Sequence, residues 1–338
     1  MKRKEKTMAE GIRDFAAWIK SQGLEHTLPR DLSKLEGLTT LDLSRKKLKS
    51  LPESIGALQE LSILKLSGNR LSELPDSLCR LKNLRNLQCE NNLLESLPEA
   101  IGNLSSLVIL NLNGNQLSSL PLGFYELCNL TRLTLAVNRL SRLDDAFKNL
   151  KKLLHVSLDT NYFAHLPEVF GSMQSLYYLD LSFNKLHALP QSLGEIQELE
   201  TLILEGNLLR DLPALEVHDM LVKLNLASNN LSSIDIDFSK LEDLQILSLE
   251  NNRLESVPDS LCSLQKLTSL DLSANRLKSL PECIGKLENL YELDVEENAL
   301  SSLPESIKEL KHLKNLYIAD NRGLKRPKLT SLEYCDVE

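Results

Sequence analysis

The chain has 338 residues, of which 42% are hydrophobic but only 4% aromatic, and its formal net charge is −8. An acidic chain is a poor general ligand for nucleic acid or for an acidic membrane surface, since both demand a basic face. No apolar run approaches the roughly 20 residues that cross a bilayer, and the six cysteines form no CxxC pair, the pattern of reduced thiols in a cytosol.

The first residues, Met1 to Lys6, make a short basic tail that reads as a solvated terminus. The next stretch, Thr7 to Gly11, is too short and polar for the apolar core of a secretion signal. Ile12, Phe15, Ala16 and Ile19 then recur at helical spacing, and Gly23 stands where a helix would stop. This predicts a helix over 8–22 whose apolar stripe covers the open end of a core, with Trp18 packing beside it. Leu28-Pro29-Arg30-Asp31-Leu32, continuing to Leu38, is half of the pattern that follows, without its strand.

From Leu38 onward one pattern, LxxLxLxxNxLxxLPxxIGxLxx, returns thirteen times. Its leading leucines are spaced 23 residues apart, except for 22 between Leu199 and Leu221. Such self-similarity is the mark of a solenoid. The two leucines of each LxL step, such as Leu64 and Leu66, have period two and point to one side of a short strand, so successive strands stack in parallel. Asparagine occupies the ninth place in every repeat but the first, where Lys46 stands. Its amide both donates and accepts, which suits a turn whose backbone groups would otherwise be buried unpaired. The LP step brings the chain back along the far side, and the IGxLxxL stretch closes the coil. Leu143-Asp144 and Ile234-Asp235 replace LP in two repeats, and the eighth repeat is shortened around Ala214 to Met220.

The expected architecture is an α/β solenoid, an arc with a parallel sheet on its concave face. Residues 1–37 form the tail, capping helix and half repeat, 38–324 the solenoid, and 325–338 a C-terminal cap in which Leu329, Leu332 and Tyr334 fold over the last coil. From Leu28 to Leu324 the pattern resembles the LPxxIGxLxxL class of leucine-rich-repeat proteins. That class includes the Scribble/Erbin and Ras-suppressor-like scaffolds and bacterial repeat proteins and effectors; the short cap and half repeat are most similar to the bacterial members. The resemblance implies a stand-alone module binding a protein. It leaves open an effector translocated into a host cell, an enzyme regulatory subunit and a structural, self-associating solenoid.

No phosphate loop, dinucleotide fingerprint or HExxH motif is present, and the six histidines show no metal-ligand spacing. No enzyme activity, cofactor or metal is expected. Cys89 takes a strand-leucine place and reads as core; Cys335, in the tail, reads as the most reactive thiol. The sequons at Asn103, Asn129 and Asn230 read as accidents of the repeat.

The non-leucine strand positions face outward, and stacking turns them into columns. Arg132, Arg139, His155, Tyr162, Tyr178, Asp180 and Phe183 gather near the middle of the array. Exposed aromatics and arginine are the chemistry of protein hot spots. The face grades from mildly basic, with Arg45, Lys47, Lys65 and Arg70, to acidic, with Glu250, Asp271, Glu292, Asp294, Glu296, Glu297 and Asp320. A basic patch on a partner would be steered to Glu292, Asp294 and Glu296. The expected protein is a cytoplasmic monomer that binds a protein, and neither nucleic acid nor a membrane.

Overall fold

A leucine every second residue in a three-residue strand can bury only one side, so each coil needs a neighbour above and below it. A computed structural model describes residues 7–28, 32–213 and 218–336, with nothing placed for the side chains of 32 and 33. The basic tail, Pro29 to Asp31 and most of the shortened stretch of the eighth repeat lie outside the described residues. The chain divides into two compact bodies, Met1–Asn161 and Tyr162–Glu338.

In the first body, α1 (Met8–Ser21) begins at Thr7. The Thr7 hydroxyl accepts from the Glu10 amide and the Glu10 carboxylate accepts from the Thr7 amide, a reciprocal cap. Gly23 ends the helix with φ 67°. Ile12, Phe15 and Ile19 are buried, and Trp18 packs on Phe15 with ring centroids 5.7 Å apart. Gly11 lies so close to Ala57 of the first coil that a Cβ there would come within 2.6 Å of the alanine methyl. The helix is therefore seated directly on the coil it covers. Six parallel strands follow: β1 (Thr40–Asp42), β2 (Ile63–Lys65), β3 (Asn86–Gln88), β4 (Ile109–Asn111), β5 (Arg132–Thr134) and β6 (His155–Ser157).

The second body continues with β7 (Tyr178–Asp180), β8 (Thr201–Ile203), β9 (Lys223–Asn225), β10 (Ile246–Ser248), β11 (Ser269–Asp271), β12 (Glu292–Asp294) and β13 (Asn315–Tyr317). Neighbouring strands pair in parallel with identical repeat positions opposite each other, as in Leu247 against Leu270. The C-terminal segment, expected to fold over the last coil, leaves Leu329 and Leu332 half-buried and Tyr334 exposed. It adds β14 (Tyr334–Cys335), paired in parallel with β13.

The asparagine is the joint of each coil. In the first body Asn69 Oδ1 accepts from the Leu48 amide of the preceding coil at 3.0 Å. Its Nδ2 donates to the carbonyls of Leu43 and Leu66, both at 2.8 Å. Asn138, Asn252 and Asn275 repeat this three-way bridge. The residue just before the joint is left-handed in all thirteen repeats, from Arg45 (φ 58°) to Asp320 (φ 54°). Glycine takes that conformation freely; Val137 (φ 54°) and Phe183 (φ 50°) take it too.

The return side is a series of short 3-10 helices, commonly opening just after the proline, as at Glu53–Ala57 and Asp76–Arg80. Where Leu143-Asp144 replaces LP, Asp144 supplies the cap itself, accepting from the Ala146 amide at 2.8 Å. In the shortened repeat His218 takes a core-leucine place and is fully buried. Burial holds its pKa below the usual value, against smaller upward pulls from the carbonyls of Ile196 and Leu193 and from Asp219.

The cysteines correct the expectation of uniformly reduced thiols. Cys262 and Cys283 form a disulfide, with Cα atoms 5.8 Å apart and a sequence separation of 21. The repeat explains the contact. The fourth residue after one proline abuts the second residue after the next, and elsewhere this is Gly56 against Ser77 or Gly285 against Ser306. Cys89 is core, as expected, and its thiol is held well above its usual pKa by burial. Cys335 is a free, half-buried thiol in β14 whose pKa is raised, chiefly by burial.

Three outcomes follow from this geometry. Asn138→Ala strands buried backbone groups of two coils, and at ~1–3 kcal/mol for each unpaired group it should cost about 3 kcal/mol in a chemical-denaturation experiment. Non-reducing peptide mapping should recover Cys262 joined to Cys283. The variant Ala100→Cys, which sets a second thiol at the equivalent contact with Cys79, should gain a second crosslink under oxidising conditions.

Candidate functional site

The strand side chains that do not enter the core form an outward face on each body. In the first body Arg132 on β5 and His155 on β6 stand opposite each other in register. The Arg132 guanidinium lies 3.4 Å from His155 Nδ1. Burial, and secondarily the charge of Arg132, pushes the His155 pKa down to about 4. The imidazole is thus neutral at physiological pH and can accept from the arginine. Arg139 is exposed just past the asparagine joint. Val137, left-handed and 52% exposed, sits at the turn before it. Thr134 Oγ1 donates to Asn111 Oδ1 at 2.9 Å, so this column is knitted along the face.

In the second body Tyr162 is exposed, with Lys185 Nζ 4.9 Å from its ring centroid, a cation–π contact. The Tyr178 hydroxyl donates to Asp180 Oδ2 at 3.3 Å, while Asp180 Oδ1 accepts from the Ser182 amide and hydroxyl at 2.9 and 2.6 Å. Asp180 is therefore tied to its own turn. Phe183 is 54% exposed, and its ring lies over Gly206 so closely that a Cβ there would come within 2.6 Å of it. Arg132, Arg139 and His155 thus belong to one body, and Tyr162, Tyr178, Asp180 and Phe183 to the other.

The acidic residues collect near the C-terminal end. Asp294 and Tyr317 are register partners on β12 and β13. Burial raises Asp294 to about 6, helped by the charges of Asp271, Asp336 and Glu250 and opposed by its bond from the Glu296 amide. Glu296 rises to about 7, chiefly because it shares a hydrogen bond with the Asp336 carboxyl. Glu292 Oε2 accepts from Asn315 Nδ2 at 3.5 Å.

Several groupings escape a reading of the sequence. His165 and His187, separated by 22 residues, stack with ring centroids 6.2 Å apart. Tyr291 stands exposed in a groove of about 700 Å³ whose walls include Lys266, Thr268, Asn289 and His312. Asp336 enters the acidic group only because β14 carries it there. Among the described residues no group of three or more His, Cys, Asp or Glu side chains could hold a metal ion, and no helix is long and apolar enough to cross a membrane.

A solenoid of parallel strands, asparagine joints and 3-10 returns defines a leucine-rich-repeat protein. The leucine-rich-repeat family profile matches residues 36–94, 59–117, 219–277 and 265–322, more than half of the chain, and the chain belongs to that family. No curated protein matches the sequence. Among solved structures it is similar to a leucine-rich-repeat protein of Leptospira interrogans, at 28% identity and a TM-score of 0.70 over 99% of this chain and 95% of that one. It is similar as well to the ectodomain of the Arabidopsis thaliana membrane receptor kinase GASSHO1/SCHENGEN3, solved with CASPARIAN STRIP INTEGRITY FACTOR 2. That match has 30% identity and a TM-score of 0.69; it covers 84% of this chain but only 38% of the receptor's. An internalin of Listeria monocytogenes shares the fold at 24% identity and a TM-score of 0.69, over 91% of this chain and 94% of that one. The repeat fold is a scaffold for binding.

Removing the Arg132 charge should raise the His155 pKa from about 4 toward its ordinary value. The imidazole resonances of Arg132→Ala, followed by NMR across pH 3.5 to 7.5, measure the change.

Proposed function

We propose that this chain is a protein-binding module that takes its partner on the outward sheet faces. Arg132, Arg139 and His155 serve as contacts on the first body, and Tyr162, Tyr178, Asp180 and Phe183 on the second. The observation that carries this reading is Phe183. A bulky side chain in the left-handed region costs on the order of 1–3 kcal/mol, yet Phe183 holds φ 50° with its ring 54% exposed. The equivalent places in the two following coils of the same body are Gly206 and Ser228. Strain spent on exposing an aromatic ring, rather than burying it, favours a docking contact. Val137 at the same place in the first body is a second instance. The ectodomain solved with CASPARIAN STRIP INTEGRITY FACTOR 2 supports a protein or peptide ligand for this architecture. On location, the Cys262–Cys283 pair favours an oxidising compartment over the cytosol.

The test uses the purified chain as bait beside a variant carrying Arg132→Glu, Tyr178→Ala and Phe183→Ala, both shown folded by circular dichroism. A hot-spot truncation costs about 2 kcal/mol, so the variant should lose a partner that the parent retains. Equal retention by both would discard these residues as the contact.

A further inference from the structure

The last two coils set two tyrosine rings among carboxylates. Tyr317 on β13 and Tyr334 on β14 have ring centroids 5.3 Å apart at an interplanar angle of 46°. Tyr334 is 50% exposed. The rings lie on the same face as Glu292 and Asp294. Asn315 pairs with Glu292 on one side and Tyr334 on the other, and Tyr317 pairs with Asp294. Burial first, then the charges of Glu292, Tyr334, Asp294 and Asp336, raises the pKa of the Tyr317 hydroxyl.

Among the described residues of the second body the ion pairs are Lys266–Asp243, Lys278–Glu255, Lys308–Glu305 and Lys314–Glu333, and none of these uses Glu292, Asp294, Glu296 or Asp336. Asp294 and Asp336 each give one oxygen to turn amides, of Glu296 and of Ile318 and Ala319. The Asp336 carboxyl is also the first cause of the raised pKa of Glu296. Turn capping accounts for an aspartate at these places, as at Asp271, but not for a tilted pair of tyrosines beside them.

We propose that this corner is a binding site for an arginine side chain presented by a basic segment of a partner protein, its guanidinium stacked on the tyrosine rings and forked onto the carboxylates. A planar guanidinium stacks on an aromatic face and donates bidentately to a carboxylate; an ammonium does neither in the same way. The inference rests on the protein-binding reading and adds the partner's chemistry. It also gives the pair of tyrosines a purpose distinct from packing, since half of Tyr334 is left in water.

Isothermal titration of the full chain with a capped tetra-arginine peptide at low salt tests the proposal, with tetra-lysine and tetra-glutamate peptides as comparisons. Tetra-arginine should bind, tetra-lysine several-fold more weakly and tetra-glutamate not at all. Asp294→Asn and Tyr334→Ala should each weaken tetra-arginine about tenfold or more, while Tyr334→Phe, which keeps the ring, should retain it. Loss of affinity in Asp294→Asn with none in Tyr334→Ala would mean diffuse electrostatic attraction and would overturn the site, as would equal affinity for tetra-lysine or no binding by the parent chain. The triple variant at Arg132, Tyr178 and Phe183 should still bind the arginine peptide, so the failure of one reading is separable from failure of the other.

Discussion

A parallel coil only 23 residues long must turn sharply at the end of each strand, and the turn leaves backbone amides and carbonyls inside the molecule. The asparagine joint answers this demand. One amide group donates to two carbonyls and accepts one N–H, and its partners lie on two successive coils. Serine could not do this, because a hydroxyl has one donor; aspartate could not, because it has none when ionised. The residue before the joint is left-handed in every repeat, including the first, where Lys46 stands in place of the asparagine. The leucine ladder supplies the apolar area, but the asparagines determine that the coils stack in one register.

That register turns sequence distance into spatial distance. A stride of 23 residues moves one step across the sheet, which is why Arg132 and His155 can be paired from the sequence alone and do lie opposite each other. Departures from the stride are what the sequence conceals. His165 and His187 sit at a stride of 22 and meet on a diagonal. Cys262 and Cys283 sit at 21, where the return segments cross. Tyr334 stands opposite Asn315 at a distance of 19, because the last segment is four residues shorter than a full repeat before it makes β14. Each contact depends on the path of the chain between strands, and no periodic template describes that path.

The same argument separates structure from binding on the face. An aspartate four residues into a repeat is claimed by the amide two residues on, as in Asp180, Asp271 and Asp294. Column charge alone therefore overstates what is available to a partner. What a turn does not require is more informative: an exposed phenylalanine where glycine would be easier, and a tyrosine pair beside carboxylates that take part in none of the ion pairs among the described residues. These are the features a shared fold does not supply, and similarity to other leucine-rich-repeat structures transfers the scaffold but not the ligand.

By itself the sequence determined the solenoid, the strand places, the inward leucines and the capping helix, because each is enforced locally by period-two burial, an amide at a turn or an apolar stripe at helical spacing. It also identified the columns of the outward face, since stacking at a fixed stride is a consequence of the repeat. Tertiary structure decided the rest: the disulfide, the buried His218, the fourteenth strand, and the meeting of Tyr317, Tyr334, Asp294 and Asp336. Those depend on how irregular segments pack against neighbouring coils, where burial and close contact between residues far apart in the chain outweigh any local preference.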